Sequence, residues 1–124
     1  MKQLTTLIVF SLLLLSSSTH AGFDAAFADY ENGNYKEAFM GFEVLADKGD
    51  PVAQYSLGRM YYEGKGTTVD KVQAYMWISL ASNLGYKKAT KYNVILKSLM
   101  SPSQVEEAER RTDRWFRKNS HWSH

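Results

Sequence analysis

The chain has no cysteine. That absence removes disulfide staples, thiolate zinc sites, iron–sulfur clusters, thiol nucleophiles and cysteine lipidation. Proline is scarce as well, with two residues beside eight glycines, which argues against a collagen-like repeat or a proline-rich disordered linker. Excess charge of one sign is lacking. Fifteen Lys and Arg against 13 Asp and Glu leave a net +2 over 124 residues, too little to mark a nucleic-acid binder by bulk charge. No run of β-branched residues alternates with period two, so strands are not expected. One long, mostly apolar run exists, Leu4 to Leu15. Its 12 residues fall short of the ~20 that a spanning helix needs.

What is present begins with an export signal. Met1-Lys2-Gln3 is a short positive start, Leu4 to Leu15 an apolar stretch, and Ser16 to Ala21 a small and polar exit. This is the pattern of a cleavable secretory leader, with cleavage expected after Ala21 and a periplasmic or secreted product without a transmembrane span. The missing cysteines suit an oxidising compartment.

Beyond the leader the chain repeats itself at a shift of 36 residues. Asn34 falls on Asp70, Ala38 on Ala74, Phe39 on Tyr75, Phe42 on Ile78, Gly49 on Gly85 and Ala53 on Ala89. Self-similarity at such a period marks a repeat architecture. Asn34 and Asp70 are placed as N-caps, and Gly49 and Gly85 as left-handed helix stops. Six helices are expected, over 23–32, 35–48, 51–63, 70–84, 86–99 and 102–118. Asp50-Pro51 is a start signal for the third, and Ser101-Pro102-Ser103-Gln104 a capping box for the sixth. The sixth carries Val105, Ala108, Thr112, Trp115 and Phe116 on one stripe. Glu106/Arg110, Glu107/Arg111 and Asp113/Arg117 lie on its other faces as acid-before-base pairs. Gly58 lies inside a helix, where Gly costs about 1 kcal/mol relative to Ala. It requires close contact with a partner helix, with Leu57, Tyr61, Trp77, Ile78 and Ala81 filling the space between.

The segment Ala53-Gln54-Tyr55-Ser56-Leu57-Gly58-Arg59-Met60-Tyr61-Tyr62-Glu63-Gly64-Lys65-Gly66 resembles the first half of a Sel1-like repeat. Val69-Asp70, Ala74, Trp77, Ala81, Gly85 and Ala89 continue the pattern, with Ser82 where the family often has Ala. Tyr30 to Ala38 is similar to the partial repeat that often opens such proteins. The third copy is degenerate, with Asn93-Val94 in place of Leu57-Gly58 and Lys97 in place of Tyr61. The resemblance implies an all-α fold, a short right-handed solenoid of antiparallel helix pairs related to tetratricopeptide repeats. Its expected layout is a leader 1–21, a repeat domain 22–100, a C-terminal capping helix 101–118 and a tail 119–124. It further implies an adaptor or scaffold in protein complexes, and for bacterial exported members a role in the envelope.

Catalytic signals are thin. Gly64-Lys65-Gly66-Thr67 imitates a phosphate loop, but the spacing from Gly58 is one residue too long, no Ser or Thr follows Lys65, and no strand precedes it. His121 and His124 share a terminal tail without a third ligand, and His20 belongs to the leader. No nucleophile–base–orienter set can be named, so the chain reads as non-enzymatic, without cofactor or metal. A protein or peptide partner is expected instead, with the protein itself a monomer or weakly self-associating. In such solenoids the first helices of the repeats line a concave groove. Tyr55, Arg59 and Tyr62 share one helical face there, and Phe27 and Tyr30 extend it; Tyr and Arg are enriched among interface hot spots. Charge is also uneven: residues 22–70 carry a balance of −5, and 71–124 one of +6. The basic half, with Lys87, Lys88, Lys91, Arg110 and Arg114, supports an alternative reading as a binder of an anionic envelope polymer or membrane surface.

Overall fold

The computed structural model describes residues 21–120. Of the expected leader only Ala21 falls within that range; His20, His121 and His124 lie outside it. The described residues form helices α1 (21–31), α2 (Tyr35–Asp47), α3 (Pro51–Glu63), α4 (Lys71–Asn83), α5 (Lys87–Ser98) and α6 (Pro102–Lys118), and no strand. These agree with the expected helices to within one or two residues at each end.

Local chemistry sets the boundaries. Asp50 accepts hydrogen bonds from the backbone N–H of Val52 at 2.9 Å and of Ala53 at 3.1 Å, satisfying two donors that the first turn of α3 leaves unpaired. Asp70 accepts from the Gln73 N–H at 3.0 Å. The capping box of α6 is complete: Ser101 Oγ accepts from the Gln104 N–H at 3.2 Å, and Gln104 Oε1 from the Ser101 N–H at 3.0 Å. Asn34 differs from expectation, since its side chain makes no cap bond. Its N–H is tied to the Asp29 carbonyl at 2.8 Å, and its ψ of 66° lies outside the extended region that aims a cap at the first turn.

The helix stops repeat down to individual bonds. At the end of α2, Gly49 donates to Ala46 O and Asp50 to Leu45 O; at the end of α4, Gly85 donates to Ser82 O and Tyr86 to Ala81 O. Both glycines have positive φ, 94° and 92°. This paired bonding closes a helix around a left-handed residue and turns the chain back on itself.

Helix α4 is the centre of the fold. Every residue from Ala74 to Ala81 is buried, because α3, α5 and α6 all pack against it. Leu57, Trp77, Ile78 and Ala81 are buried as expected. Tyr61 is half-buried and sits edge-on to Phe39 of α2, centroids 5.2 Å apart. Gly58 supplies the close approach: a Cβ there would lie 2.7 Å from Ile78 Cγ1 and 3.0 Å from the Ala74 carbonyl. On α6, Ala108 and Thr112 are buried, with Val105, Trp115 and Phe116 half-buried beside them. Two of its expected ion pairs form, Arg110 with Glu106 at 3.4 Å and Arg111 with Glu107 at 2.9 Å. Arg110 also bonds Glu107 at 2.7 Å; the third expected pair does not form, and Asp113 and Arg117 both stay exposed on the solvent face.

Candidate functional site

Helices α1 and α3 and the start of α5 enclose a groove of about 310 Å³. Phe27 and Tyr30 line it from α1, and Tyr55 and Arg59 from α3; Tyr86 and Lys88 close it from the third pair. The spacing of α1 and α3 follows from the helix stops, which return the chain in the same sense after each pair. No carboxylate lines the groove, although the half of the chain that supplies most of it is acidic.

The aromatic rings hold one another. Tyr55 is edge-on to Tyr86 at 5.3 Å and to Tyr92 at 6.1 Å. The Arg59 guanidinium lies 5.9 Å from the centroids of both Tyr55 and Tyr92, within cation–π range. Its Nη2 donates to Glu63 Oε1 at 2.8 Å, one turn along α3. Burial works against the Arg59 charge, but the hydrogen bond to Glu63 and its negative charge prevail and hold it protonated more firmly than usual. Burial likewise opposes ionisation of Glu63, and hydrogen bonds from Lys65 and Arg59 overcome it, placing its carboxyl below the usual range.

Lys65 continues the network. Its Nζ lies 3.1 Å from Glu63 Oε2 and donates to Tyr30 Oη at 3.1 Å, over the rings of Tyr30 and Tyr35 at 5.2 and 5.1 Å. Hydrogen bonds to Tyr30 and Glu63 raise its pKa well above the ordinary lysine range. Read as a phosphate-loop imitation, this lysine instead fastens the 63–70 loop to α1 across two tyrosines.

Four of the five sequence-proposed residues, Phe27, Tyr30, Tyr55 and Arg59, line the groove together. Tyr62 does not. It points further along α3, half-buried, with its ring edge-on to Tyr92 at 6.0 Å, because the turn that brings Arg59 to the groove carries Tyr62 onto α5. Phe23 and Tyr86 line the groove without having been proposed, and Lys88 lines it although the sequence placed it on the alternative basic surface. The four-residue spacing of Phe23 and Phe27 was the only local signal for any of them. A second hollow of about 420 Å³ lies between the end of α2 and α6, against Leu84, Trp115 and Phe116; none of the proposed residues reaches it. Among the described residues, no group of three His, Cys, Asp or Glu is placed to hold a metal ion, and no helix is long and apolar enough to cross a membrane.

Residues 51–86 match the family model of the Sel1 repeat, from the first residue of α3 to the turn after α4. The chain carries a Sel1 repeat. The Sel1 repeat therefore comprises the α3–α4 pair whose close contact is made at Gly58, and it supplies Tyr55 and Arg59 to the groove. Among solved structures, the fold is similar to that of a protective antigen present in uropathogenic Escherichia coli strains, which displays an SLR fold. The TM-score is 0.76 at 24% sequence identity over 85% of this chain. This chain spans 24% of that protein's length, and the likeness is one of fold: a helical solenoid.

Proposed function

We propose that this chain is a non-catalytic protein-binding module of the bacterial periplasm or cell envelope, and that it takes a segment of a partner protein in the groove between α1 and α3. The observation that carries this reading is the groove's composition: converging aromatic rings, two cations, Arg59 and Lys88, and no carboxylate. Aromatic walls offer contact area at low entropy cost, and the guanidinium offers a forked donor to a partner carboxylate. The fitting segment is an acidic peptide with an apolar or aromatic anchor. Sel1 repeats generally mediate protein–protein interaction, which agrees with this assignment. Export rests on the leader pattern of residues 1–21, with 22–100 as the repeat domain and 101–118 as its closing helix.

Photo-crosslinking in the native host tests the reading. A photoreactive residue at Phe27 or Ser56 is expected to form adducts with a protein of the envelope fraction, and one at Val69, exposed on the loop between α3 and α4 and outside the groove, is not. Adducts formed only at Val69 would move the working surface away from the groove. An intact Met1 end in the cytosolic fraction would reject the envelope assignment.

A further inference from the structure

Charge is sorted by helix pair. The first pair, residues 21–47, carries six acids and one base; the last, residues 87–118, carries nine bases and four acids. The Sel1 pair between them is nearly balanced. The acids of α6 are partly engaged within the helix, Glu106 and Glu107 holding Arg110 and Arg111. Helix α5 has four lysines and no acid, and no described carboxylate pairs with them.

Each end also exposes aliphatic surface. On α5, Ala89 and Leu96 face the core, and at about 100° per residue the opposite face presents Lys87, Lys91, Val94 and Ile95. Val94 is 70% and Ile95 54% exposed. On α2, Ala38 and Phe42 face the core, and Met40 and Val44, 53% and 55% exposed, point away from it. Glu37, Glu43 and Asp47 surround those two. A solenoid buries helix faces by stacking pair on pair, and a terminal pair that ends the stack requires a polar outer face. Here both outer faces are part aliphatic, one with an acidic surround and the other with a basic one.

We propose that the chain assembles end to end with further copies of itself, the Lys87/Lys91/Val94/Ile95 face of one copy against the Met40/Val44 face and acidic surround of the next. The two faces are complementary and neither matches itself, so the contact is heterologous and propagates as a ring or filament. It leaves the groove between α1 and α3 available in every copy and does not depend on the groove's function.

Sedimentation velocity of the purified protein over a rising concentration series tests this. The expected result is concentration-dependent association at low salt that weakens at high salt, since exposed charge contacts are screened within about 10 Å at 0.1 M. The double variants Lys87→Glu/Lys91→Glu and Glu43→Lys/Asp47→Lys are each expected to stay monomeric, with unchanged helical circular dichroism. Mixed in equal amounts they are expected to associate again, because each now complements the other at both ends. Should either lose helicity, Val94→Asp/Ile95→Asp, at exposed positions, replaces it and is expected to be monomeric. A wild-type protein that remains monomeric throughout, or variants that associate alone or fail to recover on mixing, would overturn the proposal. So would a monomer that binds phosphatidylglycerol vesicles through Lys87 and Lys91, which would assign the basic end to an anionic surface.

Discussion

Ile78 of α4 occupies the space that a side chain on Gly58 of α3 would need, its Cγ1 lying 2.7 Å from where a Cβ would stand. Helix propensity alone favours Ala over Gly by about 1 kcal/mol, yet overpacking a tight contact costs about 1–3 kcal/mol. The second effect prevails here, because the Ala74 carbonyl blocks the same space. Gly58→Ala is expected to lower the urea midpoint, and Gly58→Ala with Ile78→Val to recover part of the loss. A Gly58→Ala protein more stable than wild type would show that α4 moves aside freely.

Acid sensitivity should report on Glu63. Its folded-state pKa is depressed, so its contribution is present above the unfolded pKa, about 4.3, and is lost as pH falls through the lower folded value. The stability difference between wild type and Glu63→Gln, followed by chemical denaturation, is therefore expected to be full at neutral pH and to shrink below pH ~4. A difference that stays constant across this range would mean that Glu63 acts by packing rather than by charge.

Lys65→Ala should loosen α1 without unfolding the rest. The residue links the 63–70 loop to Tyr30 and Tyr35, while no residue of α4 takes part in that network. Hydrogen exchange is expected to accelerate for amides of residues 21–33 and to change little for those of α4. Equal protection of α1 in both proteins would show that the aromatic packing of Phe23 against Phe42 holds it alone.

Within the groove, Tyr55→Ala with Arg59→Ala should weaken capture of the crosslinked partner by ~10-fold or more, since hot-spot side chains each contribute upward of 1–2 kcal/mol. Tyr62→Ala should change capture less, because that ring packs on Tyr92 outside the groove. Titration calorimetry with the partner's purified domain would rank the two variants; the reverse order would relocate the site toward α5.

Gln54 is wholly buried, and its Nε2 donates to the Ala46 carbonyl at 3.2 Å while Oε1 has no protein partner. Ala46 O also accepts from the Gly49 N–H, so it stays paired if Gln54 is replaced. Gln54→Met removes a buried, unpaired acceptor at similar volume and is expected to be neutral or stabilising, to within about 1 kcal/mol. A large loss on thermal melting would mean that the amide fixes the α2–α3 register.

The helices, their stops and the need for contact at Gly58 were legible because each rests on local chemistry: a cap, a left-handed glycine, a period of 36 residues. Asn34 was not, because the bond from its N–H to Asp29 decides its conformation and no cap rule contains that bond. The groove was legible on α3, where Tyr55 and Arg59 share a face, and in part on α1, at Phe27 and Tyr30. Tyr86 and Lys88 reach it across the stack, and no sequence spacing encodes that distance. Tyr62 illustrates the opposite limit: helical periodicity placed it beside Arg59, but not on which side of the α3–α5 boundary its ring would fall.

The burial of α4 on every side bears on how the molecule comes apart. A stack of pairs that touch only their neighbours can fray from either end, one pair at a time. Here α6 returns to the central helix, so losing it strips cover from the middle of the stack as well as from its end. Peeling should thereby give way to collapse: a chain of quasi-independent units is expected to melt in a single step, and truncation before Ser101 to fail abruptly rather than by degrees.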